Sequence, residues 1–299
     1  MILQEQKVET FSASGKLMLF GEYLVLHGAK SLAFPLKYGQ TLALQPAENF
    51  SWESHSRDGL WFQVHLNNQQ EIVETNNTEV AEILVKLIRI IRAQKPELNL
   101  NQSFKAVANF DLEWGLGSSS TLISLLSQWS GVDANALLEG SFGGSGYDIA
   151  CATAKSPIVY IKDISTEEVQ LSEAVTEKCL FVYLGKKQNS REEIKRFQNS
   201  DVTSTHVDEM NDIIEKSIEA KSIEAFEQQL NRSEELLSPV IGLEKLKEKT
   251  FQDYPYSIKS LGAWGGDFFL ATYRNLEDAQ AYFKNKGMST MFTYNELVK

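Results

Sequence analysis

The chain has 299 residues, of which 42% are hydrophobic and 23% charged, which is sufficient for a globular protein with one large or two modest cores. A net charge of −11 and an isoelectric point near 5.0 disfavour a nucleic-acid or anionic-membrane partner, because both require a concentrated basic surface. No apolar run reaches transmembrane length, and the first residues lack a basic stretch followed by an apolar one, so we expect a cytoplasmic protein without a membrane partner.

The first half of the sequence alternates short apolar blocks with turn residues, a pattern that predicts β-strands. These blocks are KLMLFGEYLVL, SLAFPLKYGQTLALQP and WFQVHL. A helix is predicted next, capped by Thr78 and ended by Pro96, with a buried stripe of Val80, Ile83, Leu84, Leu87, Ile88 and Ile91. The strand SFKAVANFDLE, a helix after residue 120, the short helix ANALLEGSF and the strand SPIVYIKD complete this half.

The polar segment ISTEEVQLSEAVTEK is predicted to link two domains, 1–165 and 175–299. After it come the strand CLFVYLG, an acidic helical region from about 205 to 237, the glycine-rich YSIKSLGAWGGDFFLATYR and the helix LEDAQAYFKNKG. Strands and helices mix irregularly, without an internal repeat, so the sequence predicts an α+β fold. Cys151 and Cys179 are too few for a zinc site or a disulfide framework and are predicted to be buried apolar residues.

The stretch GLGSSS, residues 115–120, places two glycines and three serines directly before an apolar helical pattern. The first amides of a helix have no intrahelical partner and the helix dipole is positive there, so this position favours an anion. Glycines also let the backbone approach a ligand closely, which is typical of a phosphate-binding loop. An ordinary helix N-cap after a glycine turn explains the same residues, and the loop matches neither a Walker A loop nor a dinucleotide fingerprint.

Three further stretches carry candidate residues. SASGKLMLFGEYLVLHG contains Lys16 and Glu22, GGSGYDIACATA contains Asp148, and KSLGAWGGDFF contains Lys259 ahead of a glycine loop. Taken singly, each has a plain structural explanation: a surface salt bridge, a helix N-cap and a tight turn. The occurrence of all these stretches together, in this order, is much less frequent by chance than the occurrence of any one of them.

These motifs resemble the GHMP kinase superfamily, which includes galactokinase, homoserine kinase, mevalonate kinase and phosphomevalonate kinase. GKLMLFGEYLVLHG, GLGSSS and GAWGGD are similar, in this order, to its three motifs, and GEY, GGSGYDIACA and KSLGAWGGD are most similar to the phosphomevalonate kinase pattern, with mevalonate kinase next. The resemblance implies a two-domain α+β fold: an N-terminal domain like domain 2 of ribosomal protein S5 and a ferredoxin-like C-terminal domain.

The resemblance also implies an ATP-dependent kinase that uses Mg²⁺ and phosphorylates a small acceptor such as mevalonate or phosphomevalonate. Asp148 would accept or orient the acceptor's hydroxyl proton, with Lys16 beside it, since an ammonium keeps a nearby carboxylate ionised. Ser119 would contact Mg²⁺, with Glu139 as the nearest candidate for a second metal ligand. The implied phosphate-binding residues are Gly115, Gly117, Ser118, Ser119 and Ser120, and the implied third-loop residues are Gly262, Gly265, Gly266 and Lys259.

The sequence departs from the family pattern at Ser14, Asp111 and Trp264, and the segment between GLGSSS and Asp148 is short. Two alternatives therefore stay open: a nucleotide- or metabolite-binding protein without turnover, and, less favoured, a decarboxylase of the diphosphomevalonate type. A basic cluster for an acceptor phosphate is offered by Lys186, Lys187 and Arg191, although a solvated surface explains these residues as well. Either a monomer or a homodimer fits the sequence.

Overall fold

The computed structural model describes residues 8–186, 197, 202–264 and 266–299 of the chain. Its internal contacts divide the chain into two compact units. The first unit comprises Met1–Gly15, Tyr38–Leu112 and Leu116–Thr153, and the second comprises Lys16–Lys37, Glu113–Gly115 and Ala154–Lys299. The units interleave in sequence because strands β1 (Glu9–Phe20) and β2 (Ser31–Pro46) each contribute residues to both. The domain boundaries 1–165 and 175–299 stay a prediction.

The first unit contains a mixed β-sheet. Besides the parts of β1 and β2 that belong to it, its strands are β3 (Phe50–Ser56), β4 (Gly59–Leu66), β5 (Ile72–Thr75) and β6 (Gln102–Ala108). The strand order is β5-β4-β3-β6-β2, in which β3 and β6 run parallel and the other neighbours antiparallel. Trp52 lies opposite Phe104 in the β3-β6 register, and their rings stack with centroids 5.4 Å apart, which anchors the core of this unit.

Four helices belong to the first unit: α1 (Thr78–Gln94), α2 (Ser118–Ser130), α3 (Ala134–Glu139) and α4 (Tyr147–Thr153). The prediction of α1 is confirmed, but its cap is wrong. Thr78 is already helical, and the side chain of Asn77, whose backbone is extended, accepts a 3.2 Å hydrogen bond from the Val80 amide. The predicted stripe is buried at Leu84, Leu87, Ile88 and Ile91, whereas Val80 and Ile83 are only partly covered.

The second unit contains a four-stranded antiparallel sheet of order β10-β11-β9-β12. Its strands are β9 (Cys179–Tyr183), β10 (Ile258–Ser260), β11 (Phe268–Thr272) and β12 (Met291–Thr293), and two further strands, β7 (Ile158–Ile161) and β8 (Ser165–Glu168), extend from β2. Among the described residues, its helices include α5 (Glu173–Thr176), α6 (Ser204–Glu219), α7 (Ile223–Ile241), α8 (Leu246–Thr250), α9 (Leu276–Asn285) and α10 (Tyr294–Leu297).

The structure adds two details to the sequence-based assignment. The polar segment 164–178, which the sequence predicts as a linker, contains the edge strand β8, where polar side chains are tolerated, and the short helix α5. The acidic helical region is two helices, and α7 begins where the Ser222 side chain accepts a 3.3 Å hydrogen bond from the Ala225 amide. The α+β class and the burial of both free cysteines, Cys151 and Cys179, are confirmed.

Candidate active site

The glycine-serine loop forms the start of α2. Gly117 is the N-cap residue and has a left-handed backbone with φ 93°, which favours glycine. Ser118 is half-buried and Ser119 exposed, so both hydroxyls belong to the surface of this helix start. Ser120 is 2% exposed and its hydroxyl donates a 2.9 Å hydrogen bond to the carbonyl oxygen of Gly117. The Ser120 hydroxyl is therefore buried and bonded to the backbone within the first turn of α2, and this geometry gives no support to a contact between it and phosphate.

Lys16 lies on β1 and is half-buried. Its ammonium group donates a 3.3 Å hydrogen bond to the carbonyl oxygen of Gly115, so the first and second motifs meet at these two residues. A side chain at the preceding Gly15 would place its Cβ 2.7 Å from the carbonyl oxygen of Leu116 and 2.9 Å from that of Tyr38. Glycine is therefore required at position 15 by close packing of main chains.

Asp267 lies against the glycine-serine loop and was not among the residues predicted from the sequence. Its carboxylate packs against Gly115, where an added Cβ would lie 2.4 Å from the Asp267 Cγ atom and 2.5 Å from each carboxylate oxygen. Asp267 has a positive φ of 53°, and its backbone is held by a 2.7 Å bond from its amide to the Lys186 carbonyl oxygen and a 2.8 Å bond from the Leu184 amide to its own carbonyl oxygen. The sequence signal that could have identified Asp267 is its position as the last residue of the GAWGGD motif.

Asp148 lies in the first turn of α4 and is half-buried. The loop before it contains Gly143, Gly144 and Gly146, all with positive φ, and these glycines let the chain turn sharply into the helix. Asp148, Ser118 and Ser119 belong to the first unit, whereas Lys16 and Gly115 belong to the second. The predicted pairing of Lys16 with Asp148 stays a prediction.

The third motif begins at the end of β10. Gly262 has a positive φ of 60° and no described atom within 4 Å of an added Cβ, Gly266 is buried, and Gly265 lies outside the described residues. Trp264, which replaces a family glycine, is 1% exposed and also has a positive φ of 56°. The phenol of Tyr23, from the GEY sequence of the first motif, donates a 2.7 Å hydrogen bond to the carbonyl oxygen of Ala263.

Lys259 is fully buried, and its ammonium lies 2.5 Å from a carboxylate oxygen of Glu22. It also donates a 3.0 Å hydrogen bond to the carbonyl oxygen of Ser260. The predicted alternatives for Lys259, a phosphate contact or a surface position, find no support in this geometry, because the charge is neutralised inside the fold. A surface salt bridge with Lys16 was the plain structural alternative for Glu22, and the partner of Glu22 in the structure is Lys259.

A metal ion would find few protein ligands here. Within the described ranges, no three histidine, cysteine, aspartate or glutamate side chains converge in a metal cluster. Glu139 is exposed at the end of α3, and Ser119 is exposed at the start of α2. A Mg²⁺ ion that arrives on nucleotide phosphates and keeps several waters needs only one or two protein oxygens, so these residues fit it.

Two remaining predictions concern charge and membranes. Of the proposed basic cluster, Lys186 is exposed, and Lys187 and Arg191 lie outside the described residues. Across the part of the chain that the structure describes, every helix is too short or too polar to cross a membrane.

The fold is similar to that of several solved kinases. Streptococcus pneumoniae phosphomevalonate kinase, in complex with phosphomevalonate and AMPPNP, matches with a TM-score of 0.74 and 18% identity over 95% of this chain and 99% of that chain. Methanococcus jannaschii mevalonate kinase matches with a TM-score of 0.69 and 18% identity, covering 97% and 98%. Lactococcus lactis galactokinase complexed with galactose matches with a TM-score of 0.68 and 15% identity, covering 96% and 92%.

No protein-family model matches the sequence, and no curated protein matches it. The three solved structures are GHMP kinases, and they match nearly the whole chain. The chain therefore has the fold of these kinases, as the resemblance of its three motifs implies.

Proposed function

We propose that this chain is an ATP-dependent kinase that transfers the γ-phosphoryl group of Mg-ATP to a small acceptor, mevalonate or phosphomevalonate. The observation that carries the proposal is the start of α2, where the N-cap residue is Gly117, which has a left-handed backbone and no side chain to cap the first helix amides, and where Ser119 is exposed. Similarity to kinases that include a phosphomevalonate and AMPPNP complex supports the same reaction class.

Backbone dipoles explain how an acidic protein would hold a polyanion. The first turn of α2 contains no acidic side chain, so its unpaired amides and the positive end of the helix dipole favour a phosphate there. In this role Gly115, Gly117 and Ser118 bind the ATP phosphates. Lys16 adds the positive charge that stabilises the transferred phosphoryl group.

The proposed metal ligand is Ser119, with Glu139 as a second candidate. When bound, Mg²⁺ neutralises charge on the phosphate oxygens. The hydroxyl of Ser119 is a hard oxygen ligand of the kind Mg²⁺ prefers, and its exposure at the helix start leaves room for the waters that the ion keeps.

Asp148 is proposed to act on the acceptor. With a hydroxyl acceptor, the Asp148 carboxylate takes the proton while the acceptor oxygen bonds to the γ-phosphorus and the bond to the ADP oxygen breaks. With a phosphate acceptor the attacking oxygen is already largely ionised near pH 7, because the second pKa of a phosphate monoester is about 6, and Asp148 only orients it. Loss of the Asp148 carboxylate should therefore slow phosphorylation of a hydroxyl acceptor more than phosphorylation of a phosphate acceptor.

The deciding experiment measures ADP release by the purified protein with Mg-ATP against mevalonate, phosphomevalonate, homoserine and simple sugars, with ATP binding measured by calorimetry in the same samples. Acceptor-dependent release that is lost in Lys16→Met, and kept in the exposed control Lys86→Met, would establish the kinase and name its substrate. ATP binding without release for any acceptor would favour the metabolite-binding alternative. Absence of both would overturn the proposal.

A further inference from the structure

Three charged side chains are buried together in the second unit: Lys259 on β10, Glu22 after β1 and Glu234 on α7. Their side chains are 0%, 1% and 3% exposed. The Lys259 ammonium lies 2.5 Å from Glu22 and 3.9 Å from the nearer carboxylate oxygen of Glu234. Buried charges are costly unless they are paired, so this group requires an explanation beyond packing.

The charges of the cluster do not balance with ordinary protonation states. Two carboxylates and one ammonium leave a net buried negative charge, and among the described residues the second oxygens of Glu22 and Glu234 have no hydrogen-bond partner. One proton on a carboxylate restores neutrality. Glu22 is the closer partner of Lys259, so the proton belongs on Glu234, which is the more distant carboxylate.

Burial raises the pKa of both carboxylic acids. Burial raises the pKa of Glu234 to about 8; the charges of Lys259 and Lys245 and a hydrogen bond from Ser260 oppose the rise, and Glu22 adds to it. Burial also raises the pKa of Glu22, while the adjacent Lys259 ammonium favours its charged form.

The cluster holds both peptide groups of Ser260. The Ser260 amide donates a 2.9 Å hydrogen bond to Glu234, and the Ser260 carbonyl oxygen accepts the bond from Lys259. Ser260 is the last residue of β10, two residues before Gly262. The Trp264 ring, within the loop, lies 5.9 Å from the Lys259 ammonium.

We propose that Glu22 and Glu234, acting through Lys259 and Ser260, are positioning residues for the third glycine loop, and that Glu234 does this as a neutral carboxylic acid. The expectation that this loop faces the nucleotide or the acceptor rests on the proposed kinase function. The positioning of the loop by the buried charges does not depend on that function, so it can be tested without measuring turnover.

The first experiment compares the thermal stability of wild type and Glu234→Gln from pH 5 to 9. The amide keeps an oxygen for the Ser260 N–H and carries no charge. Unfolded Glu234 ionises near 4.5 and folded Glu234 near 8, so wild-type stability falls between these values as pH rises and levels off above them. We therefore expect the melting temperature of Glu234→Gln minus that of wild type to increase as the pH is raised to about 8, and to stay constant above that pH.

The matched control is Glu235→Gln, because Glu235 is the next residue on α7 and is exposed. This variant is expected to follow the wild-type pH dependence. A Glu234→Gln variant that is less stable than wild type by the same amount at every pH would show that Glu234 is an ionised partner of Lys259, and would overturn the neutral-acid assignment.

The second experiment tests positioning by hydrogen exchange of the backbone amides of residues 258–264 at pH 7. Glu234→Ala removes the acceptor of the Ser260 N–H, so we expect faster exchange in this segment and unchanged exchange in α9. Glu234→Gln is expected to restore protection. In the kinase assay Glu234→Ala should raise KM roughly fivefold with little change in kcat. The Glu234→Gln variant should have a KM close to that of wild type. Unchanged exchange in a folded Glu234→Ala variant would overturn the positioning role.

Discussion

Tyr23 and Ala263 are 240 residues apart in sequence, and the Tyr23 phenol holds the Ala263 carbonyl oxygen by a buried 2.7 Å hydrogen bond. Backbone strain lies on both sides of this bond, since Tyr23 and Trp264 are non-glycine residues with φ of 62° and 56°. Such conformations cost of order 1–3 kcal/mol each and persist only when the surrounding structure fixes them. Tyr23 of the GEY sequence, which belongs to the first motif, thus stabilises the third motif.

Tyr23→Phe should therefore affect the third loop more than overall folding. The variant keeps the ring, which stacks on Phe197 with centroids 4.8 Å apart, and loses only the hydroxyl. We expect a loss of about 1–3 kcal/mol in the free energy of unfolding, because a buried carbonyl loses its donor, together with a higher KM. Urea unfolding and steady-state kinetics measure the two effects.

The matched control is Tyr254→Phe, which removes an equally buried 2.6 Å bond to the Thr272 carbonyl oxygen, away from the loop. It should lose similar stability and keep its KM. Equal changes in KM for both variants would contradict a specific role for Tyr23.

Gly115→Ala should lower the stability of the protein by more than the left-handed backbone angle at this position alone predicts. Gly115 and Gly131 both have φ 68°, but an added Cβ meets the Asp267 carboxylate at Gly115 and no described atom within 4 Å at Gly131. Gly131→Ala measures the cost of the left-handed backbone, roughly 1–2 kcal/mol. We expect Gly115→Ala to lose more than this in urea unfolding and to bind ATP more weakly in calorimetry.

The double variant Gly115→Ala, Asp267→Ala identifies the cause. Removing the carboxylate should recover the part of the stability loss that exceeds the Gly131→Ala value. Identical losses in the two single glycine variants would show that the contact with Asp267 carries no energetic weight.

Asp148→Asn should lower turnover by about 10²-fold or more with a hydroxyl acceptor, because the amide cannot take the proton, while ATP binding stays largely intact. With a phosphate acceptor the loss should be smaller, since no proton has to be removed. Steady-state kinetics and ATP calorimetry test this, with Asp58→Asn in an exposed turn as the control. Nearly wild-type turnover with a hydroxyl acceptor would reject Asp148 as the base.

Glu227→Gln should reveal a separate, acid-sensitive contribution to stability. Burial disfavours the Glu227 carboxylate, but hydrogen bonds from Arg274 and Thr272 outweigh it, so its pKa lies below the unfolded value of 4.5. Two Arg274 nitrogens lie 2.8 and 3.0 Å from the two carboxylate oxygens. This stabilisation is present above pH 4.5 and is lost as pH falls through the folded pKa.

Glu227→Gln is accordingly expected to be less stable than wild type at pH 7, with the difference shrinking below pH 4.5. Thermal melts from pH 3 to 7 measure it. A difference that does not depend on pH would indicate lost packing or neutral hydrogen bonding instead of a charge interaction.

Local patterns were sufficient for much of the fold. The apolar period of 3.6 residues predicts α1 and α2, and short apolar blocks predict β2, β4 and β9, because both signals reflect which side chains must leave water. The polar strand β8 was missed for the same reason: an edge strand needs no apolar face. The cap at Asn77 was misplaced by one residue, because Asn and Thr compete for the same local role.

The sequence by itself determined the α+β class and the glycine loops, because these depend on residue type, spacing and backbone freedom, and its resemblance to a known family pointed to Lys16 and Asp148. Only the tertiary structure decided where Lys259 directs its charge, that the Ser120 hydroxyl is bonded to the Gly117 carbonyl oxygen, and that Asp267 packs against Gly115. These outcomes depend on burial, which joins residues far apart in sequence and sets which charges must be paired or protonated. The pattern Lys-Ser-Leu-Gly reads the same whether its lysine faces a ligand or a buried glutamate.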